Sequence, residues 1–342
     1  MARKLFWISL ALTPITLIAH FALGIGGTPI FALSAASLMP LAFLIGEATE
    51  QVSEHTGPGI GGFLNASFGN APELIIALFA IGSGLPNVVR GSITGSVVST
   101  ALLVLGAAWA VGRDGEIERR SLVLQIGMVL AAVLLFLVPS IPGRHGNPDR
   151  HSLYLLTLPV AAVLLVLYLA LTFRNLRRHH AAHTTPPAEA SWSLRRGLVA
   201  LAAATVATAL MSELLVHSLA SFGHALGLSE FFVAVVIVAI VGNAAEHGGA
   251  IVIAHRGNTT LATEIAVTSS MQVALFVTPA VCLLSALVGS GLPLSFRAVE
   301  IIAMAASAAF AALVIWDGRS RRWEGFMLVG VYVLAVGAFF FS

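Results

Sequence analysis

The sequence predicts an all-α polytopic membrane protein with about 11 transmembrane helices, arranged as one helix followed by two five-helix repeats of inverted topology. Three observations predict this fold class: the composition, a series of apolar runs, and a motif that occurs twice. The 342 residues are 58% hydrophobic and only 10% charged, with a mean hydropathy of +0.94. Because soluble domains carry about 25% charged residues, the composition excludes a soluble globular protein.

Eleven apolar runs have about the length that a membrane span needs, roughly 20 residues. The breaks between them carry Gly, Pro, Asn or Arg, which favour turns. We expect the first run to be an uncleaved helix, since no A-x-A cleavage site precedes further apolar sequence. The runs cover approximately residues 5–24, 29–52, 58–82, 86–111, 120–141, 152–173, 194–222, 229–255, 259–290, 293–316 and 323–341.

The basic residues predict the orientation of the chain. With the N-terminus in the cytoplasm, fourteen of the 18 Lys and Arg residues fall on the cytoplasmic side, and only Arg90, Arg144, Arg150 and Arg297 fall outside. This asymmetry agrees with the positive-inside rule. The basic residues lie between apolar runs rather than on one face, so we expect no nucleic-acid partner. Lys4 is the single lysine of an Arg-, Ala- and Gly-rich chain, a bias that favours the bacterial inner (plasma) membrane.

An Arg- and His-rich loop with two prolines divides the chain, and its composition is typical of a flexible cytoplasmic linker. It carries a histidine cluster at His179, His180 and His183. The predicted domains are a first transmembrane helix at 1–28, a first five-helix repeat at 29–173, the linker at 174–193 and a second five-helix repeat at 194–342.

The motif Gly-Asn-Ala-x-Glu occurs once in each half, with Asn70 and Asn243 separated by 173 residues. Each predicted repeat has an odd number of spans, so the two copies cross the membrane in opposite directions. Inverted repeats with Gly-interrupted membrane segments are a signature of secondary transporters, whose substrate site lies near the bilayer midplane.

The chemistry of the motif favours a cation site. Asn and Glu three positions apart project from nearly the same helix face, so Asn70 with Glu73 and Asn243 with Glu246 offer amide and carboxylate oxygens. Ca²⁺ binds six to eight such hard oxygens. The same offset aligns residues 94–103 with 267–276, which adds the polar side chains of Ser96, Ser269, Ser270 and Gln272. Cys282 is the single cysteine, so no Cys-based metal site is expected.

Two carboxylates that face each other in an apolar setting favour their protonated forms when no cation is bound, because of desolvation and mutual repulsion. They can therefore exchange protons for one divalent cation, which is the basis of a cation/proton antiporter. A second interpretation stays open here: Asn-x-x-Glu also resembles a capping box, and Pro72 suits the first turn of a helix.

The stretches GEATEQVSEHTGPGIGGFLNASFGNAPELIIALFA and GSITGSVVSTALLVLG, with GLSEFFVAVVIVAIVGNAAEHGGAIVIA and TSSMQVALFVTP, resemble the calcium/proton exchanger branch of the calcium/cation antiporter superfamily. The resemblance implies that Glu73 and Glu246 are the principal Ca²⁺ ligands and proton carriers. It implies supporting roles for Asn70, Asn243, Ser96, Ser269, Ser270 and Gln272. It also places Glu47 and Glu50 in the cytoplasmic approach and Glu213 in the outward approach, with His247 tuning the site.

Two features depart from the family pattern. The linker is basic where many such exchangers are acidic, and Thr100 stands where many relatives carry asparagine. An antiporter that exchanges Ca²⁺ for Na⁺, or one that transports another divalent cation such as Mn²⁺ or Mg²⁺, stays open as an alternative. A cation channel is a weaker alternative. An intramembrane metalloenzyme is disfavoured because HExxH is absent. We expect no enzymatic activity and no cofactor. The expected transported ions are Ca²⁺ and H⁺, the expected surroundings are the lipid bilayer, and a homo-oligomer is an open possibility.

Overall fold

The computed structural model describes residues 2–182, 192–289 and 291–342, which are almost entirely helical. The helices of the first half are α1 Ala2–Ser9, α2 Leu12–Phe21, α3 Thr28–Gly69, α4 Ala71–Gly82, α5 Pro86–Val111, α6 Arg119–Gly143 and α7 His151–Ala182. Those of the second half are α8 Leu194–Leu226, α9 Glu230–Gly242, α10 Ala244–His255, α11 Thr259–Val288, α12 Ala298–Ile315 and α13 Arg322–Phe340. Two short strands, β1 Gly115–Glu116 and β2 Arg319–Ser320, pair antiparallel.

Each of the eleven predicted runs contains helix, although residues 293–297 of the tenth run precede α12 and are not helical. Within the described residues, eight helices are long and apolar enough to cross a membrane, and the bent pair α9 and α10 would make a ninth. Phe6–Phe21 and α4 are shorter apolar helices. The all-α polytopic fold with its two inverted repeats is therefore confirmed, whereas the number of eleven spans stays a prediction. The domain boundaries also stay predictions.

The predicted linker at 174–193 begins as helix, because α7 continues to Ala182. Residues 183–191, with His183 of the predicted histidine cluster, lie outside the described residues. A helix can continue beyond the membrane where its residues are good helix formers. The segment after the apolar run contains Arg and Ala, which are good helix formers, and this favours the extension of α7. The first part of the predicted linker is therefore helical, and the linker itself stays a prediction.

Helix α3 covers two predicted runs but is not straight. The Ser53 hydroxyl donates a hydrogen bond to the Gly61 carbonyl at 3.0 Å, although residues eight apart in a straight helix are separated by about 12 Å along the axis. A Cβ added to Gly61 would approach the Ser53 carbonyl oxygen to 2.8 Å. The chain therefore turns sharply where the sequence predicts the break between the second and third runs.

Contacts between α5 and α11 mark the symmetry of the two repeats. The Ser270 hydroxyl donates to the Val97 carbonyl at 3.3 Å, and these positions are themselves separated by the repeat offset of 173 residues. Both helices contain a π-helical stretch at matching places, Ser99–Val104 and Val273–Val277. Equivalent residues touch only where a twofold relation passes between them, so the pseudo-twofold axis runs between α5 and α11.

The connecting loops gather at two ends of the molecule, as alternating spans require. At the predicted cytoplasmic end, β1 pairs with β2 and the Arg113 amide donates to Thr259 Oγ1 at 3.0 Å. At the predicted outer end, the buried Arg90 guanidinium bonds Asp149 at 2.7 Å and the Pro293 carbonyl at 3.3 Å. Each set joins the first repeat to the second.

The first half of α5 packs directly against α9. A Cβ on Gly95 would overlap the Val235 carbonyl, and one on Gly91 would lie 3.1 Å from the Phe231 ring. Glycines four residues apart on one helix face allow this close approach of two backbones. The consequence is that Ser96, next to Gly95, reaches the helix break at Asn243.

Candidate ion-binding site

Both copies of the repeated motif interrupt a helix in the same way. Asn70, between α3 and α4, has φ −98° and ψ 16°, and Asn243, between α9 and α10, has φ −93° and ψ 17°. The axes of α9 and α10 differ by 60°. Glu73 and Glu246 lie in the first turns of α4 and α10, where the helix dipole favours a negative charge. Each half thus offers one carboxylate at a helix N-terminus inside the protein.

The asparagine side chains reach across to the opposite repeat. Asn243 Nδ2 donates to Ser96 Oγ at 2.7 Å and to the Ala239 carbonyl at 2.9 Å. Asn70 Nδ2 donates to Gln272 Oε1 at 3.4 Å. Neither asparagine side chain makes a cap hydrogen bond to its own helix. The geometry therefore favours the ion-site interpretation over the capping box.

Two glycines place each glutamate against the other repeat. A Cβ on Gly242 would lie 3.3 Å from Glu73 Cγ, and a Cβ on Gly69 would lie 3.9 Å from Glu246 Oε1. These two contacts are equivalent under the repeat offset. The absence of a side chain just before each asparagine thus leaves room for the carboxylate arm of the opposite half, and the two glutamates converge on the region between the helix breaks.

Glu73 is enclosed. Both of its carboxylate oxygens and Asn243 Oδ1 are buried and have no hydrogen-bond partner among the described residues. Neither Glu73 nor Glu246 takes part in an ion pair within the described part of the chain. Burying polar oxygens without donors is costly, so these oxygens are available for a proton or a cation. A small cavity adjoins Glu73 on the side of the predicted outer end, and its lining includes Ile76, Ser92, Ser96, Ala239, Gly242 and Val277.

The remaining predicted ligands lie on α11, and His247, predicted to belong to the ion pathway, lies on α10. Ser269, equivalent to Ser96 in the repeat, is buried and its Oγ has no partner among the described residues. Ser270 instead uses its hydroxyl on the Val97 carbonyl. His247 is 7% exposed, and its Nε2 is buried without a partner in the described part. The described residues contain no group of three His, Cys, Asp or Glu side chains that could hold a metal ion together. A cation here would therefore depend on two carboxylates together with amide, hydroxyl and backbone oxygens.

The predicted pathway glutamates are separate from this cluster. Glu47 is half-buried and Glu50 is exposed on α3. Glu213 is exposed on α8, in a cleft that it shares with His20 and His217 beside α2. Their place in an ion pathway stays a prediction.

Sequence reasoning did not single out three residues that lie at or near the site. Gly69 and Gly242 were part of the repeated motif, and the repetition itself was the signal that their size matters. Tyr168 on α7 lies against α11 with its ring stacked on Phe276 at 5.2 Å. A lone tyrosine in an apolar run gives no local signal of such a contact.

Comparison with known proteins identifies the family. The family described as "Sodium/calcium exchanger protein" matches residues 26–177 and 196–341. The Ca(2+)/H(+) antiporter ChaA of Bacillus subtilis is 37% identical, over 91% of this chain and 92% of its own. The Ca(2+)/H(+) antiporter of Aphanothece halophytica is 34% identical, over 99% of this chain and 97% of its own.

Solved structures show the same fold. The structure of native YfkE aligns with a TM-score of 0.84 at 33% identity, and covers 98% of this chain and 100% of that chain. The H⁺/Ca²⁺ exchanger CAX aligns with a TM-score of 0.76 at 16% identity, over 99% of this chain and 92% of that chain, which supports the fold alone. Since the family pattern covers both halves and the relatives span nearly the whole chain, this multi-pass membrane protein belongs to the sodium/calcium exchanger protein family.

Proposed function

We propose that this protein is a Ca²⁺/H⁺ antiporter that exports cytosolic Ca²⁺ with the energy of the proton gradient. The observation that carries the proposal is the pair of glutamates at equivalent helix breaks, each packed against the glycine of the opposite repeat. The names of the two curated relatives, both Ca(2+)/H(+) antiporters, support the same ions. The relatives are transporters, and enzymatic activity has no support in the site.

The charges of the site fit such an exchange. Ionised Glu73 and Glu246 together neutralise one Ca²⁺, with Asn70, Asn243 and Ser96 able to add oxygens. When the cation leaves, two protons restore neutrality at a site where both Glu73 carboxylate oxygens are buried. A buried pair of this kind avoids the cost of unpaired charges in both states. Alternating exposure of the site to the two membrane faces then couples the two ions.

We further place the protein in the bacterial inner (plasma) membrane with its N-terminus in the cytoplasm, from the distribution of Lys and Arg. In this orientation the cavity beside Glu73 lies on the outer side of the site. Glu47 and Glu50 then belong to the cytoplasmic half, and Glu213 to the outer half of α8.

A second candidate, exchange of Ca²⁺ for Na⁺, has one observation in its favour: the family that matches both halves is described as sodium/calcium exchanger protein. Two carboxylates can also be neutralised by Na⁺, so charge alone does not separate the two ions. The choice of Mn²⁺ or Mg²⁺ over Ca²⁺ depends on ligand number and site rigidity.

The test uses everted membrane vesicles energised to an acid interior, with a pH-sensitive dye that reports proton release when Ca²⁺ is added without Na⁺. We expect the wild type to dissipate the pH gradient and Glu73→Gln and Glu246→Gln to lose this response. Glu116→Gln, at an exposed position of β1, is the matched control and should behave as the wild type.

Two outcomes would contradict the proposal. Ca²⁺ uptake by the wild type that requires Na⁺ would overturn the coupling to protons while keeping the site. Normal proton release by both glutamine variants would overturn the site itself. Addition of Mn²⁺ or Mg²⁺ in place of Ca²⁺ ranks the cations in the same assay.

A further inference from the structure

Gln272 connects the first copy of the motif to the second repeat. It accepts the hydrogen bond from Asn70 Nδ2 at 3.4 Å, near the upper limit for such a bond. When the nitrogen of a side-chain amide donates toward one partner, the oxygen of the same amide points away from that partner. The position of Gln272 therefore contributes to the direction in which the Asn70 carbonyl oxygen points.

Tyr168 on α7 lies behind Gln272. Its side chain is 3% exposed, and its ring stacks on Phe276 with 5.2 Å between ring centroids and 29° between planes. Phe276 is one helical turn beyond Gln272 on α11. The Tyr168 side chain lies next to Gln272 and to Thr172, which is one turn further along α7. A buried tyrosine hydroxyl usually has a polar partner, and the Gln272 amide is close enough in the fold to be a candidate.

The second copy of the motif has no such arrangement. Asn243 bonds Ser96 directly at 2.7 Å, and serine is short with few rotamers. Gln272 has a longer side chain, whose ordering costs more entropy. The position 173 residues beyond Tyr168 is Phe341, which is 88% exposed. The long Gln272 side chain thus has a buried tyrosine near it, whereas the position equivalent to Tyr168 in the second repeat carries a phenylalanine at the surface.

We propose that Tyr168 is a positioning residue: its hydroxyl holds Gln272, and through Gln272 it aims the Asn70 carbonyl oxygen at the cation site. This inference rests on the proposed function, since it assigns a role in Ca²⁺ binding between Glu73 and Glu246. It also makes α7, the helix that leads into the linker, part of the support of the site. Tyr168 itself does not touch the cation.

The experiment is a double-mutant cycle of Tyr168→Phe and Gln272→Ala, with Tyr154→Phe as the matched control. Tyr154 is the other buried tyrosine of α7, and its ring packs against Gly291 near the predicted outer end. Phenylalanine keeps the ring stack on Phe276 and removes only the hydroxyl. The readouts are the Ca²⁺ dissociation constant of the purified protein by equilibrium binding, the KM for Ca²⁺ in vesicles, and the melting temperature.

We expect Tyr168→Phe to weaken Ca²⁺ binding about 2- to 10-fold, the range of one lost hydrogen bond, with an unchanged melting temperature. In the Gln272→Ala background the same change should have no further effect. Unchanged binding in Tyr168→Phe, or effects that multiply in the double variant, would overturn the positioning role. A wild type that binds Ca²⁺ without releasing protons would instead reject the proposed exchange, and the binding cycle would still decide the role of Tyr168.

Discussion

Asn243 in the second repeat donates its side-chain amide to Ser96 in the first repeat at 2.7 Å, with both side chains buried. Asn70 makes the reciprocal kind of contact with Gln272 of the second repeat. Each helix break is thus held by a side chain from the opposite half. The geometry of the two carboxylates therefore depends on the way the repeats are assembled as well as on either repeat alone.

Ser96→Ala should weaken Ca²⁺ transport by removing the partner of Asn243. The amide nitrogen would keep only the Ala239 carbonyl, so the carbonyl oxygen loses its fixed direction. We expect the KM for Ca²⁺ to rise about 2- to 10-fold, as for one lost hydrogen bond. Ser92→Ala is the control, because Ser92 lines the same cavity but donates to Val89 of its own helix. Equal effects of the two changes would contradict a specific role for Ser96.

Gly242→Ala should reduce transport because the added methyl group would lie 3.3 Å from Glu73 Cγ. The carboxylate arm would have to shift within a packed interior, where small displacements are costly. Gly249→Ala, in α10 on the other side of the helix break, has nothing within 4 Å of the new Cβ and should transport normally. Initial rates of Ca²⁺-induced proton release, normalised to protein amount, compare the two. A Gly242→Ala rate equal to that of Gly249→Ala would show that Glu73 tolerates displacement.

Gly95→Ala should destabilise the fold more than it changes any ligand. The methyl group would overlap the Val235 carbonyl of α9, and backbone on a neighbouring helix cannot move aside as a flexible side chain can. We expect a lower melting temperature and a low yield of folded protein in detergent. Gly127→Ala, at an exposed position of α6 with open space around it, should be neutral or stabilising because alanine is the better helix former. A normal melting temperature for Gly95→Ala would contradict the close contact of α5 and α9.

Single cysteines should report the orientation of the protein. Cys282 is the single cysteine of the sequence and is fully buried, so Cys282→Ser provides a background without reactive thiols. In it, His145→Cys should react with a membrane-impermeant maleimide added to intact cells, and Arg256→Cys should react only in everted vesicles. Both positions are exposed in loops at opposite ends of the molecule. The reverse labelling pattern would place the N-terminus outside.

Much of the fold was predictable because a membrane leaves few choices to a backbone. Apolar runs must form helices there, and the repeated motif identified the two inverted halves and the residues Glu73, Glu246, Asn70 and Asn243. The sequence also indicated Ser96 and Gln272 through the alignment of the two halves. Each of these predictions depended on a local pattern or on the repeat.

The features that escaped prediction depend on contacts between distant segments. The sharp turn of α3 near Ser53 leaves no break in the helix assignment, and the extension of α7 to Ala182 follows helix propensity beyond the apolar run. Ser270 bonds the Val97 carbonyl, whereas Ser269 Oγ has no partner among the described residues. This difference follows from the rotation of α11 about its axis, which periodicity alone does not fix. Tyr168 acquires its significance only because α7 packs on α11.

The two-stranded sheet of β1 and β2 is small, but it links the two halves of the protein. Its backbone hydrogen bonds join the loop after α5 to the loop before α13, with Gly115 opposite Ser320 and Glu116 opposite Arg319. The Arg322 amide adds a bond to Asp114 at 2.9 Å. Because this link is made of main-chain hydrogen bonds, it does not depend on the bound ion and opposes sliding of α5 against α13. Any reorientation that leaves it intact must then be carried by the helices that it does not fasten, among them α4 and α10, which bear the two glutamates.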